Sequence, residues 1–302
     1  MSLSKTYAAS LGFEGLLCIL GLLGNIFIIV INLLEIRKLQ SFPPSDLIIL
    51  DLAVSNVILL GQLYAFSVYH LLGMLCHVTM AFNIFEAIVM AQCSWLLTLL
   101  CLFYCVKIIN FTQRFFNQLK HWLSSGVYYL ILGTLVGSVA ISSLLAFCTL
   151  ELKTGNATLT GSNCTLPVFP SACKTSYYIY TTFTIVLPFF IMVLSSSLII
   201  ITLVRHRKKN KNHKSFVSPH DTVHTRVANM IVALIMTYFL FVVSLVYMAI
   251  LSDFNLNIIR FLQGFFLFCY PVCSPYLLIY GNTKLRTMFA DLISCVRGTG
   301  NS

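Results

Sequence analysis

Seven long apolar runs, separated by short polar or basic segments, fix what this 302-residue chain can fold into. Each run is long enough to cross ~30 Å of hydrocarbon as a helix. Backbone amides find no water there, so helix is the natural spanning form. The runs cover Leu11–Leu34, Leu47–Leu72, Val78–Val106, Val127–Leu150, Tyr177–Val204, Val227–Leu251 and Ile258–Tyr280. Only 9% of the residues are charged and 58% are hydrophobic, where a soluble domain is about 25% charged. The expectation is an all-α membrane protein, a seven-helix bundle forming one domain over residues 1–302. Residues 1–11 are short and polar and lead into the first run without a cleavage pattern, so that run is expected to stay as a spanning helix.

Charge predicts orientation. With seven spans the connecting segments alternate between two sides. One side holds Arg37, Lys38, Lys107, Arg114, Lys120, the segment 205–226, Lys284, Arg286 and Arg297. The other holds only Lys5, Lys153, Lys174 and Arg260. The lysine- and arginine-rich side is expected in the cytoplasm, with the N-terminus outside and the C-terminus inside. The net charge of +10 is thus a topology signal, not a nucleic-acid footprint, because its densest cluster, at 205–214, is tied to a membrane edge. That cluster either stops transfer and touches lipid headgroups or also docks a cytosolic partner.

The longest external segment, about Glu151–Ser176, carries two glycosylation acceptors, Asn156 and Asn163. Asn110 matches the same pattern on the expected cytoplasmic side and should be silent. Of the eleven cysteines, Cys18, Cys93, Cys101, Cys105, Cys148, Cys269 and Cys273 fall in or at the ends of spans and read as small buried hydrophobes. Cys76, Cys164 and Cys173 fall in oxidising space, where one disulfide among the three is expected and the pair is open. No His/Cys spacing suggests a metal site. No cofactor is called for, although a bound sterol or lipid is compatible with so apolar a surface.

Within the spans, the residues that stand out are polar. Asn83, Glu86, Met90 and Cys93 recur at helical spacing and share one face in the outer half of the third span. A carboxyl at membrane depth is costly, so this face is expected to look inward. Glu86 either pairs a cationic ligand or is a protonated acid hydrogen-bonded to a neighbouring helix. Phe241, Ser244 and Tyr247 lie about a turn apart on the sixth span and form either a second pocket wall or ordinary helix packing. Lys284–Val296 carries apolar residues at helical spacing and is expected as a short helix lying on the inner leaflet.

Four strings then converge. The third span ends Phe103-Tyr104-Cys-Val-Lys107-Ile-Ile-Asn110-Phe, and the seventh ends Leu278-Ile-Tyr-Gly-Asn282-Thr-Lys284-Leu. The fifth holds Leu187-Pro188, then Ser195-Ser-Ser-Leu-Ile-Ile, then His206; the first holds Gly24-Asn25. Together they resemble the type 2 taste receptors, the bitter-taste G-protein-coupled receptors. The resemblance implies a receptor that binds small bitter molecules from outside and activates a heterotrimeric G protein, gustducin-like or of the inhibitory class, inside.

It also implies roles. Glu86, Phe241, Gln263 and Gly264 align with pocket positions, with Phe66 and Tyr69 as further candidates. Tyr104, Lys107, Arg205, His206 and Lys284 fall at the G-protein end; for Lys107 a lysine merely snorkelling to the interface is the alternative. Asn56 stands where the family has arginine, so an interior polar contact is expected between Asn25 and Asn56, and Ser274 replaces a common histidine. These departures read as those of a divergent or non-mammalian member. Pro188 and Pro271 are expected bend points.

Two rivals remain from other classes, besides a seven-helix receptor for another class of small ligand. A small-molecule transporter would show internal repeats and paired broken helices. An intramembrane hydrolase would show a nucleophile elbow, a His-Glu-x-x-His string or paired aspartates. None is present in the sequence.

Overall fold

The computed structural model describes residues 2–38, 43–71, 75–109, 126–155, 174–211, 219–251 and 257–299. Eight helices account for nearly all of them. They are α1 (Ser2–Ile36), α2 (Pro44–Leu71), α3 (Leu75–Ile108), α4 (Val127–Gly155), α5 (Lys174–Lys211), α6 (Pro219–Leu251), α7 (Asn257–Gly281) and α8 (Thr283–Thr299). The first seven contain stretches long and apolar enough to cross a membrane, and no strand occurs among the described residues. Each expected span lies on its own helix.

The ends differ from expectation in one direction. α1 begins at Ser2 rather than near Leu11, and α5 overruns the Tyr177–Val204 run at both ends. Hydropathy marks the hydrocarbon, but a helix continues into the polar zone wherever the backbone meets no breaker. α5 is also not uniform. It opens as Lys174–Thr181, widens into a π-helical turn over Thr182–Val186, and resumes at Leu187–Lys211. Pro188 stands two residues past that turn. Proline cannot donate to the carbonyl four residues back, and a π turn is a common way of absorbing such a gap.

α3 is the centre of the bundle. It packs against α2, α4 and α5, while α6 packs along α7 and α1 lies against α2 and α7. Its side chains Leu96, Leu97, Leu100 and Cys101 are fully buried. By contrast α4 presents Tyr129, Leu132 and Val136 outward, and α1 presents Ile19 and Leu23. In a soluble protein such a surface would be a liability; on membrane-length helices it is the lipid face.

Candidate functional site

Interhelical polar bonds cluster on α7. Pro275 has no amide hydrogen, so the carbonyl of Pro271, four residues earlier, loses its helical donor. Asn25 of α1 replaces it, its Nδ2 donating to Pro271 O at 3.3 Å and to Gly21 O at 2.8 Å. One turn along, Asn56 Nδ2 of α2 donates to Ser274 Oγ at 2.9 Å, and the Cys93 thiol of α3 points at Asn56 Oδ1 at 3.8 Å. This corrects the expected Asn25–Asn56 contact. The two amides do not bond each other, because each has a better-placed partner on α7. Gly24 lets α1 come this close: a Cβ there would stand 2.9 Å from the Pro275 ring.

α6 joins the same centre through aromatics. Tyr238 Oη lies 2.6 Å from Ser94 Oγ of α3. Its ring meets Tyr270 edge-on at 5.5 Å, and Phe241 lies 5.8 Å from Tyr270. Phe241 and Ser244, two of the expected wall residues, are therefore enclosed, at 3% and 4% exposure. Tyr247 and Gln263 have side chains outside the described set.

At the other end of α3 the expected face grades from open to closed. Asn83 is exposed, Glu86 and Met90 are half-buried and Cys93 is buried. The face thus turns inward from Glu86 to Cys93, while Asn83 at its outer end stays open. Glu86 has no hydrogen-bond partner among the described residues, although Tyr180 of α5 stands close enough to feel its charge. The Tyr180 hydroxyl is committed elsewhere, donating to Ala87 O at 2.9 Å. Tyr69 packs its ring edge-on against Phe82 at 5.3 Å, with Phe66 half-buried nearby in sequence. Gly264 faces a second carboxylate: a Cβ there would meet Glu14 Oε1 at 2.9 Å. Glu14 accepts a hydrogen bond from Ser10, and its Oε2 is buried without a partner among the described residues. Nothing in the spacing of α1 flagged Glu14.

The basic end is built around Asn282 and Lys284. Asn282 caps α8, its Oδ1 accepting from the Lys284 and Leu285 amides at 3.0 and 3.4 Å. Its Nδ2 donates to Asp46 Oδ1 of α2 at 3.2 Å. Lys284 Nζ donates to Asp46 Oδ2 at 2.9 Å and Asn32 Oδ1 at 3.0 Å, and pairs with Glu35. Burial pushes the Lys284 ammonium below the ordinary lysine value. Leu285 is fully buried behind it. The string Gly281-Asn282-Thr-Lys284-Leu285 is thus a helix stop, a cap, a cation for an acidic pair and a buried anchor. Gly281 is required as well, since any Cβ would collide with Met230 of α6.

Of the other residues expected at this end, Tyr104 is buried and edge-on to Phe103. Lys107 is exposed, with Nζ 5.9 Å above the Phe103 ring. Arg205 is exposed on the last turns of α5. The side chains of His206 and Cys76 lie outside the described set, as do residues Asn110, Asn156, Asn163, Cys164 and Cys173.

The sequence model of the family described as taste receptor protein (TAS2R) matches residues 3–297. The chain belongs to that family. Taste receptor type 2 member 46 of Homo sapiens is 29% identical, with 92% of this chain and 91% of the relative covered. Member 13 of Pongo pygmaeus is 28% identical over 90% and 91%, and member 31 of Pan troglodytes 28% over 94% of each. The receptor is therefore a bitter-taste chemosensory protein with seven membrane helices, multi-pass in the plasma membrane, from a family that takes small-molecule ligands and couples to G proteins. It comes from a receptor family rather than an enzyme family.

Proposed function

We propose that the receptor binds bitter compounds, cationic ones among them, at the end of the bundle where α3 begins, with Glu86 as the charge that selects them. The observation that carries this reading is a half-buried carboxyl on an inward-turning face with no hydrogen-bond partner among the described residues. A desolvated charge needs an opposite charge or several donors, and a ligand ammonium meets that need. Asn83, Met90, Gly264, Tyr247 and Gln263 complete the proposed pocket, with Phe66 and Tyr69 at its rim. Phe241 and Ser244 support it from beneath rather than line it. Apolar burial gives most of the affinity and the few polar groups give orientation.

This end faces outside and the basic end lies in the cytoplasm, following the lysine and arginine asymmetry. There Tyr104, Lys107, Arg205 and His206 receive a G protein of the gustducin-like or inhibitory class. Lys284 holds the floor of that site together rather than touching the partner. The test is a calcium-flux screen of bitter compounds on cells carrying a promiscuous G protein, repeated with Glu86→Gln. A cationic agonist should shift right at least tenfold, ~1.4 kcal/mol, and a neutral one by no more than about threefold by the same relation. Equal losses for both, at normal surface expression, would remove Glu86 from the pocket.

A further inference from the structure

A groove of about 280 Å³ lies on the outside of the bundle between α2, α3 and α4. It opens toward lipid, because Ile58, Phe85, Tyr128 and Leu132 along its walls are exposed. Glu86 is not among its walls, so it is separate from the proposed tastant pocket. Its wall carries one carboxyl, Asp51, and no lysine, arginine or histidine.

The hydrogen bonds around Asp51 run one way. Ser138 Oγ of α4 donates to Gln92 Oε1 of α3 at 3.4 Å, and Gln92 Nε2 donates to Asp51 Oδ2 at 3.2 Å. The Ser138 hydroxyl holds the Gln92 amide in the orientation that presents its NH₂ to Asp51. The relay therefore ends on an acceptor. Oδ1 receives no donor among the described residues, and Asp51 itself lines the groove. A carboxylate in contact with hydrocarbon is strongly disfavoured unless a cation or donor reaches it. The protein supplies one amide; the open side must supply the rest.

We propose that this groove is a site for a lipid-borne primary amine: a single-chain amphiphile whose protonated amine rests on Asp51 while its chain lies along Ile58, Phe85 and Leu132. Charge complementarity selects the ammonium over a hydroxyl head, since the groove's acceptor is a carboxyl, which gains a charge partner from an ammonium and none from a hydroxyl. The apolar walls and the opening to lipid select a chain that partitions into the bilayer over a soluble amine. The ligand enters sideways from the membrane and does not compete with an agonist at Glu86.

The test uses the full-length receptor in phosphatidylcholine vesicles and a diazirine-bearing analogue of oleylamine. Saturable photolabelling should appear on peptides of α2, α3 and α4 that line the groove. Oleylamine should displace the probe at a concentration at least tenfold below that of oleyl alcohol, which has the same chain and no charge. Asp51→Asn keeps the shape and should weaken labelling at least tenfold. Leu132→Trp fills the groove from the lipid side, leaves the carboxyl in place, and should block labelling even if the Asp51 variant fails to fold. Equal displacement by alcohol and amine would overturn the charge selection. Labelling unchanged in both variants, or never saturable, would overturn the site.

Discussion

Lys284→Met removes the cation that pairs with both Asp46 and Glu35, and its cost can be worked from the geometry. The ammonium loses Asp46 Oδ2 at 2.9 Å, Asn32 Oδ1 at 3.0 Å and the Glu35 pair. Asp46 has only 7% of its side chain exposed, so water cannot replace the lost charge there. Breaking a fully buried pair costs ~3–5 kcal/mol, while an exposed pair is worth ~0–1 kcal/mol. Lys284 retains 25% exposure, which places the loss between these limits, at ~2 kcal/mol. Across the 302 residues, at ~2.1 cal/mol/K of unfolding entropy per residue, that is a fall of ~3 °C in Tm. Thiol-reactive dye unfolding of the detergent-solubilised receptor suits the measurement, because Cys93, Cys101 and Cys105 are buried and react only on opening. Adding Asp46→Asn to Lys284→Met should restore at least ~1 kcal/mol relative to additivity. A Tm unchanged by Lys284→Met, or strictly additive losses, would refute the ion-pair reading and leave Lys284 an ordinary surface lysine.

Tyr238→Phe deletes the 2.6 Å bond to Ser94; a double-mutant cycle with Ser94→Ala should give a coupling of roughly 0.6–1.7 kcal/mol, the range seen for interhelical bonds in membranes. Lys107→Ala should cut agonist-stimulated nucleotide exchange while leaving surface expression intact, and unchanged exchange would return Lys107 to snorkelling. Endoglycosidase should shift the mobility of the receptor through Asn163, with or without Asn156. The shift should vanish in the Asn156→Gln, Asn163→Gln variant; its persistence there, with loss on Asn110→Gln, would invert the topology.

Helix placement was legible because hydropathy and length measure the same barrier, and all seven spans fall on separate helices. The inward turn of the Asn83–Cys93 face was legible because a 3.6-residue period and the cost of a buried carboxyl point to the same side. Partner choice was not. Asn25 and Asn56 looked like partners because Asn56 stands where the family has an arginine that meets the first-span asparagine, yet the missing amide of Pro275 creates an acceptor 246 positions away from Asn25. The Lys284–Asp46–Glu35 cluster drew residues from three helices whose registers no local pattern fixes. The cap by Asn282 was within reach, since Asn directly before a helix start is an N-cap signal. Glu14 was hidden for the opposite reason: its site is defined by the absence of a side chain at Gly264.

These contacts bear on how a signal would cross the bundle. Glu86 and Tyr104 sit on one helix, 18 residues apart, which is roughly 27 Å of α-helical rise. A stiff, centrally buried α3 cannot carry a message by bending along that length; it can rotate or slide against its neighbours. Its polar ties to α6 and α2 lie between the two ends: Ser94 to Tyr238, Cys93 to Asn56 and Gln92 to Asp51. The Asn56 tie continues to Ser274 on α7. Any movement of α3 that a ligand favours must therefore be accommodated at α6 and α7, next to Tyr270 and the two α7 prolines. An agonist shifts the population only through its differential affinity for the two arrangements, and the G protein must then raise agonist affinity by the same factor. Tyr238→Phe loosens the tie without touching either proposed binding end. It should change the efficacy of cationic and neutral agonists alike, measured as maximal response at matched surface expression. A change confined to one ligand class would mean that Tyr238 senses the ligand directly, and that the two ends are joined elsewhere.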